Sequence, residues 1–272
     1  MAASDDYVLG TGDEEIERLG LQHVVWRAYA LDAWQRAGFN VGQTLLDVGC
    51  GPGHAALDLA QLVGPRGRVL ALERSAHFLS ALQSTRAARG LEQLTALQLD
   101  LEQDDFPQME ADGAWCRWVL CFLKRPRRLL DRIATALRPG GVLVLHEYFN
   151  YGTWRLIPAS AEFEEFVGLV MQSWRDEGGE PDIGLKLPIW LAESGFTVQA
   201  VQPIIDVFPP TNLTWQWPKT FFQAGLRRLL QTRHLDEVRA RQMADAFARC
   251  EATPHALMIS PAVLEIIAVR RN

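Results

Sequence analysis

The chain has 272 residues, 48% hydrophobic and 22% charged, with a net charge of −6. That length holds one large core with helices to spare, and the balance is that of a folded globular protein, not of a disordered or fibrous one. No apolar stretch approaches the roughly 18 residues of a membrane-crossing helix.

The first twelve residues are acidic and have no apolar run of the signal-peptide kind, so a cytoplasmic protein is expected. The densest basic group is Lys124-Arg125-Pro126-Arg127-Arg128. It reads as a solvated loop and helix start, and it is too small to be the basic face that nucleic acid requires. The cysteines at 50, 116, 121 and 250 form no Cys-x-x-Cys pair and sit near no His at a metal-ligand spacing. They are expected as small core residues, with Cys116 and Cys121 on one strand and facing opposite sides.

In chain order, a helix is expected over 13–37, with Ile16, Leu19, Val24 and Leu31 on its apolar face. A buried strand over 44–48 ends at glycines, and a helix follows over 54–62. Strands over 68–72 and 94–99 flank a helix that Ser75 caps, and a fourth strand covers 113–122. A helix over 127–137 precedes a fifth strand over 142–146, entered through Pro139-Gly140-Gly141. Short apolar strands alternating with helices make this an α/β chain with a doubly wound, Rossmann-like parallel sheet. Further helices are expected over 161–175, 187–194, 219–232 and 235–249. A strand-like stretch over 196–208 is broken at Pro203, and a last strand covers 263–269. No internal repeat divides the chain, so 1–272 reads as a single domain. Its parts are an N-terminal helical lid (1–43), a ligand-binding core (44–149), and two helical insertions (150–181 and 209–261) that start near strand carboxyl ends and cover the site.

The central motif is Leu45-Leu46-Asp47-Val48-Gly49-Cys50-Gly51-Pro52-Gly53, a strand running straight into a turn that starts a helix. Gly49 and Gly51 let the backbone turn and let a ligand approach, and amides at the helix start can face electronegative atoms. A nicotinamide fingerprint would place its third glycine at position 54, which is His54, and a diphosphate would be a poor neighbour for Asp47. Glu73, at the end of the second strand, is placed to accept from both hydroxyls of a ribose, and Asp100 to accept from an adenine amino group.

Asp47 to Gly53, Glu73, Asp100 and Pro139-Gly140-Gly141 together resemble the Rossmann-like methyltransferases that use S-adenosylmethionine, closely over 44–149 and loosely outside. The resemblance implies a seven-stranded, mostly parallel sheet with its last strand antiparallel. It also implies that Asp47, Gly49, Gly51 and Gly53 cradle the methionine part, that Glu73 holds the ribose and Asp100 meets the adenine, and that their neighbours Arg74 and Leu101 belong to the cofactor site. Arg117, on the fourth strand, would reach the cofactor's carboxylate. Tyr7-Val8-Leu9-Gly10 with Glu14, Arg18, Leu19 and Gln22 resembles the lid of small-molecule members, in which Tyr7 and Gln22 would line the cofactor's open side. The fourth strand lacks the Asn- or Asp-Pro-Pro-aromatic run of nucleic-acid and glutamine amino-methyltransferases, which directs the reading to a small-molecule acceptor.

Methyl transfer is an in-line displacement that needs alignment, water exclusion and sometimes removal of one proton. His146 and Glu147 at the end of the fifth strand are the expected catalytic groups, at most one of them facing the site because neighbours on a strand point opposite ways. His23 is a further candidate, and Trp154, Trp174, Trp190, Trp215 and Trp217 are candidates for an aromatic acceptor pocket. Only Glu147 stands out as a carboxylate near the acceptor, so no metal is expected. The sequence is compatible with a homodimer and does not decide the assembly. A cofactor-binding or interaction subunit without catalysis is the alternative, since a fold can outlive its function.

Overall fold

The computed structural model describes residues 10–272. A long helix, α1 (Asp13–Arg36), precedes the alternating core of β1 (Thr44–Val48), α2 (His54–Val63), β2 (Arg68–Glu73), α3 (Ala76–Ala88), β3 (Leu94–Gln98), β4 (Ala111–Arg117), α4 (Pro126–Ala136) and β5 (Leu137–Asn150). The chain continues through β6 (Arg155–Ile157), α5 (Ala161–Asp176), α6 (Leu187–Glu193), β7 (Phe196–Ile204), β8 (Val207–Phe208), α7 (Gln216–Gln231), α8 (Glu237–Glu251), β9 (Leu257–Ile259) and β10 (Ala262–Arg270).

Seven strands form one sheet in the order β3-β2-β1-β4-β5-β10-β7. The β3, β2, β1, β4 and β5 neighbours pair in parallel, and β10 runs antiparallel to both β5 and β7. This is the doubly wound sheet with an antiparallel last strand expected from the sequence. Leu45, Leu46 and Val48 of β1 are fully buried because helices cover both faces, so the strand is apolar on each side. The strand order reverses between β1 and β4, and such reversals open a crevice at the strand carboxyl ends.

Local chemistry sets several boundaries. Ser75 caps α3 by accepting from the amide of Phe78, and Ser160 and Asp236 do the same for α5 and α8. Pro203 is tolerated because β7 is an edge strand. The stretch expected as one strand over 196–208 divides instead: β7 ends at Ile204, and β8 joins a separate three-stranded sheet of order β6-β9-β8.

Two further expectations are corrected. The fourth strand ends at Arg117, not at 122. Trp118 takes a left-handed backbone at φ 51°, and Leu120–Phe122 forms a 3-10 turn that carries Cys121 off the strand. Helix α1 also presents a different face. Val24 is 58% exposed, while Glu15, Arg18, Gln22, His23, Trp26, Ala30, Ala33 and Trp34 are buried. The insertion helices α5, α7 and α8 pack on one another through Phe163, Phe166, Phe222 and Phe247, with Phe222 and Phe247 stacked at 4.6 Å.

Candidate functional site

A cavity opens over the carboxyl ends of β1, β2 and β4. Its walls come from the β1–α2 loop, the ends of those strands, one side of α1, and side chains of β5, α5 and α7. The loop is shaped by its glycines. Gly53 has φ 84°, and a Cβ there would lie 2.3 Å from Leu82, so this glycine lets α2 close against α3. Gly49 likewise sits against Val119, whereas a Cβ on Gly51 would meet only Leu19 at 3.8 Å. Gly51 is therefore the position that keeps the loop's inner surface open to a ligand.

Acids surround the loop. Glu73 accepts from the amide of Gly51 at 3.0 Å and from that of Ser75 at 2.9 Å, which ties the ends of β1 and β2 together. Burial raises its pKa, and the amides of Ser75, Gly51 and Arg74 oppose the rise. Asp47 is 2% exposed, and one carboxylate oxygen has no hydrogen-bond partner among the described residues. Burial pushes its carboxyl up to about 7 against the pull of Arg117 and of the Ala56 amide. Asp100 accepts from the amide of Glu102 at 2.8 Å and from Gln103 Nε2 at 3.0 Å, forming a turn whose residues Asp100, Leu101 and Glu102 line the cavity. The exposed Arg74 lines it as well.

Arg117 stands between β1 and β5 at the end of β4. Its guanidinium lies over Trp115 at 5.6 Å and Trp118 at 5.2 Å, and Nη1 is buried without a partner among the described residues. Burial lowers its pKa to about 10 against the attraction of Asp47, so it stays cationic at neutral pH. Beyond Arg117 the wall turns aromatic, with Trp118, Phe122, Tyr148, Trp174 and Phe221. Trp118 is stacked between Tyr148 at 5.4 Å and Trp217 at 5.7 Å, and Trp174 packs on Phe122 at 4.6 Å.

Helix α1 supplies Arg18, Leu19, Gln22 and His23 to the cavity wall. Gln22 accepts from Arg18 Nη1 and from Trp217 Nε1, each at 3.2 Å, so it joins α1 to α7. Glu15 holds Arg18 through two oxygens at 2.6 and 2.7 Å.

Of the residues singled out in the sequence, Gln22, Asp47, Gly49, Gly51, Glu73, Arg74, Asp100, Leu101 and Arg117 are brought to this one cavity, with Gly53 just behind it. Tyr7 lies outside the described residues. His146 and Glu147 are not in the cavity wall, and both are fully buried. His146 Nε2 pairs with Glu265 of β10 at 2.9 Å, and Glu265 in turn receives Arg36 of α1. Burial lowers the His146 pKa against the pull of Glu265. Glu147 accepts from the amides of Val119 at 2.8 Å and Leu120 at 2.7 Å and so holds the turn after β4. Burial lifts it to about 7 against those same amides. Neither member of the expected catalytic pair lines the cavity: His146 is bonded to Glu265, and Glu147 to the amides of Leu120 and of Val119, itself a wall residue.

Of the five tryptophans proposed for an acceptor pocket, only Trp174 lines the cavity. Trp154 and Trp215 are core residues, Trp217 backs Trp118, and Trp190 lies under Arg127 and Lys186. Sequence reasoning missed His54, Phe78, Phe122 and Phe221 as lining residues. A usable signal was present in α1. Glu15, Arg18, Gln22 and Trp26 recur at spacings of three and four along one buried face, and polar groups on such a face mark a site or a network more than a core.

Known proteins resemble this chain. A sequence family described as a methyltransferase domain matches residues 46–145. A demethylmenaquinone methyltransferase of Symbiobacterium thermophilum is 30% identical over 149 residues, covering 53% of this chain and 59% of that protein. A human thiol S-methyltransferase is 30% identical over 48% of this chain and 57% of its own length. The chain spans from 25% to 64% of the length of the curated relatives it matches. The crystal structure of a [4+2]-cyclase, SpnF, superposes with a TM-score of 0.57 at 19% identity, over 90% of this chain and 80% of that one, a likeness of fold alone.

Proposed function

We propose that this chain, whose residues 46–145 match a methyltransferase domain, uses S-adenosylmethionine and transfers the cofactor's methyl group to a small, largely apolar acceptor. The observation that carries this is one cavity with two chemistries. An acid-lined half surrounds an open glycine loop, and Arg117 divides it from an aromatic half drawn from the turn after β4, β5, α5 and α7.

The residues suit the cofactor. Its ammonium matches the unpartnered oxygen of Asp47 and its carboxylate matches Arg117, while Glu73 and Asp100 have lone pairs for ribose and adenine. When bound, it supplies an electrophilic methyl for in-line displacement. The protein aligns the acceptor against Trp118 and Tyr148 and keeps water from the aromatic half. We read α1 and the insertions over 150–181 and 209–261 as the cover of the acceptor side. Trp174 of α5 and Phe221 of α7 in the wall support that.

With His146 and Glu147 withdrawn, an acceptor atom that arrives with a free lone pair suits the site best: a thiolate, phenolate, enolate, carboxylate or amine. A quinol-like or thiol acceptor, as the names of two relatives state for those proteins, falls in this range. Four buried free cysteines fit a reducing compartment, so the cytoplasm is our reading of its location.

The test is incubation with methyl-labelled S-adenosylmethionine and a panel of aromatic phenols, thiols, carboxylates and amines, read by mass spectrometry. Transfer of label with formation of S-adenosylhomocysteine is expected. Tight cofactor binding with no product across the panel and cell extracts would favour a non-catalytic role. The absence of both binding and transfer would refute the proposal.

A further inference from the structure

A chain of polar groups runs from α2 through α1 to the end of β4. Asp58 of α2 accepts from Arg27 Nε at 2.6 Å and meets His23 Nε2 at 3.1 Å. On the far side of the ring, His23 Nδ1 lies 3.3 Å from Arg117 Nη2. His23 and Arg117 both line the cavity, whereas Asp58 lies behind them.

The identity of the partners fixes the proton on the imidazole. A guanidinium has only donors, so Nδ1 must accept from Arg117. A carboxylate has only acceptors, so Nε2 must carry the hydrogen that meets Asp58. His23 is therefore neutral and held in one tautomer. Burial lowers its pKa against the pull of Asp58, consistent with a neutral ring. With the lone pair of Nδ1 taken and Nε2 protonated, the ring has nothing with which to remove a proton from an acceptor, which excludes a general-base role in this arrangement.

The consequence falls on Arg117. Its Nη2 is committed to His23, its face is held over Trp115 and Trp118, and Nη1 has no partner among the described residues. We propose that His23 is a positioning residue for cofactor recognition: locked by Asp58 as the Nε2–H tautomer, it holds one nitrogen of Arg117 so that the rest of the guanidinium meets the α-carboxylate of the bound cofactor. This rests on the reading of the cavity as an S-adenosylmethionine site. The carboxylate is the one anionic group of that cofactor, and its neighbouring ammonium falls to Asp47, which attracts Arg117 on the same wall. Arg27 and Asp58 thus act on the ligand through His23 without touching it.

The experiment compares S-adenosylhomocysteine with its decarboxylated analogue, S-adenosyl-3-thiopropylamine, by calorimetry. Wild type should prefer the carboxylate-bearing ligand by about tenfold or more, the scale of a charge-assisted bond. Arg117→Gln should abolish that preference. His23→Phe keeps the ring's bulk but offers Arg117 no acceptor, so it should lose most of the preference while binding the decarboxylated analogue within about twofold of wild type. His23→Asn places an amide oxygen near the Nδ1 position and should restore a large part. Asp58→Asn, which frees the tautomer while leaving every residue of α1 unchanged, should lower the preference partway and serves as the second variant if His23→Phe does not fold.

A preference unchanged in both His23→Phe and Asp58→Asn would overturn the proposal. So would an equal loss for both ligands, since that would make His23 only a support of α1. If wild type binds neither ligand, the cofactor reading itself fails. If wild type binds both equally well, the cofactor reading stands and the carboxylate role of Arg117, with that of His23, falls.

Discussion

Replacing Asp47 by Asn probes the glycine loop through its one deeply buried acid. Asp47 is 2% exposed, and burial lifts its carboxyl from the ordinary 3.8 to about 7 against Arg117 and the Ala56 amide. A carboxyl with a raised folded-state pKa binds its proton more tightly in the fold than in the unfolded chain. Its contribution to stability is therefore fully present below about pH 4 and is lost as the pH climbs to about 7. At about 1.4 kcal/mol per tenfold change in proton affinity, the full loss is about 4 kcal/mol, an upper bound because the fold can relax around the charge.

Denaturant unfolding of ligand-free protein from pH 4 to pH 8 should show wild type losing up to that amount relative to Asp47→Asn. Glu147, also lifted to about 7, titrates in both proteins and cancels from the difference. The same acid makes cofactor binding proton-linked. A ligand ammonium favours the carboxylate, so binding below pH 7 should expel close to one proton from wild type and none from the variant. Calorimetry at pH 6 in two buffers of different ionisation enthalpy measures this. Parallel stability profiles for the two proteins, with no proton released, would refute the placing of a protonated acid beside the cofactor's amino group.

Glu73→Ala should weaken S-adenosylhomocysteine binding about tenfold or more with the fold retained, since charge-assisted bonds are worth about 1.5–3 kcal/mol. Glu73→Gln should lose less, because its oxygen can still receive the Gly51 amide. Unchanged affinity in a folded Glu73→Ala protein would remove that residue from the site. Glu147→Ala leaves the amides of Val119 and Leu120 unpaired, so denaturant unfolding should show a loss of about 2–6 kcal/mol, at about 1–3 kcal/mol for each stranded donor. Glu147→Gln should stay stable and active, and a stable but inactive Glu147→Gln protein would return this residue to the chemistry. Trp174→Ala should raise the acceptor KM several-fold and leave cofactor affinity unchanged in calorimetry. A change in cofactor affinity instead would dissolve the division of the cavity into two halves.

The parallel core and the ligand loop were legible because their signals are local. A buried strand such as β1 is apolar on both faces, a glycine run marks the turn after it, and an acid ends β2. Each depends on a few neighbouring residues, and helix layers on both sides supply the same environment wherever such a strand occurs. The turn after β4 shows where that logic stops. Val119-Leu120-Cys121-Phe122 continues an apolar run and reads as strand. A carboxylate from β5 instead captures two of its amides, a partner some 27 residues away that no local pattern reveals.

The same bond explains why the expected catalytic pair is absent from the cavity wall. Alternation along β5 correctly sends His146 and Glu147 to opposite sides, but in a sheet covered on both faces each side is interior. His146 finds Glu265 of β10, and Glu147 finds the β4 turn. Alternation therefore decides between the faces of the sheet and is silent on which of them the crevice reaches. That is set by where the strand order reverses, between β1 and β4, and there Arg117 and Trp118 hold the position that His146 and Glu147 were expected to fill.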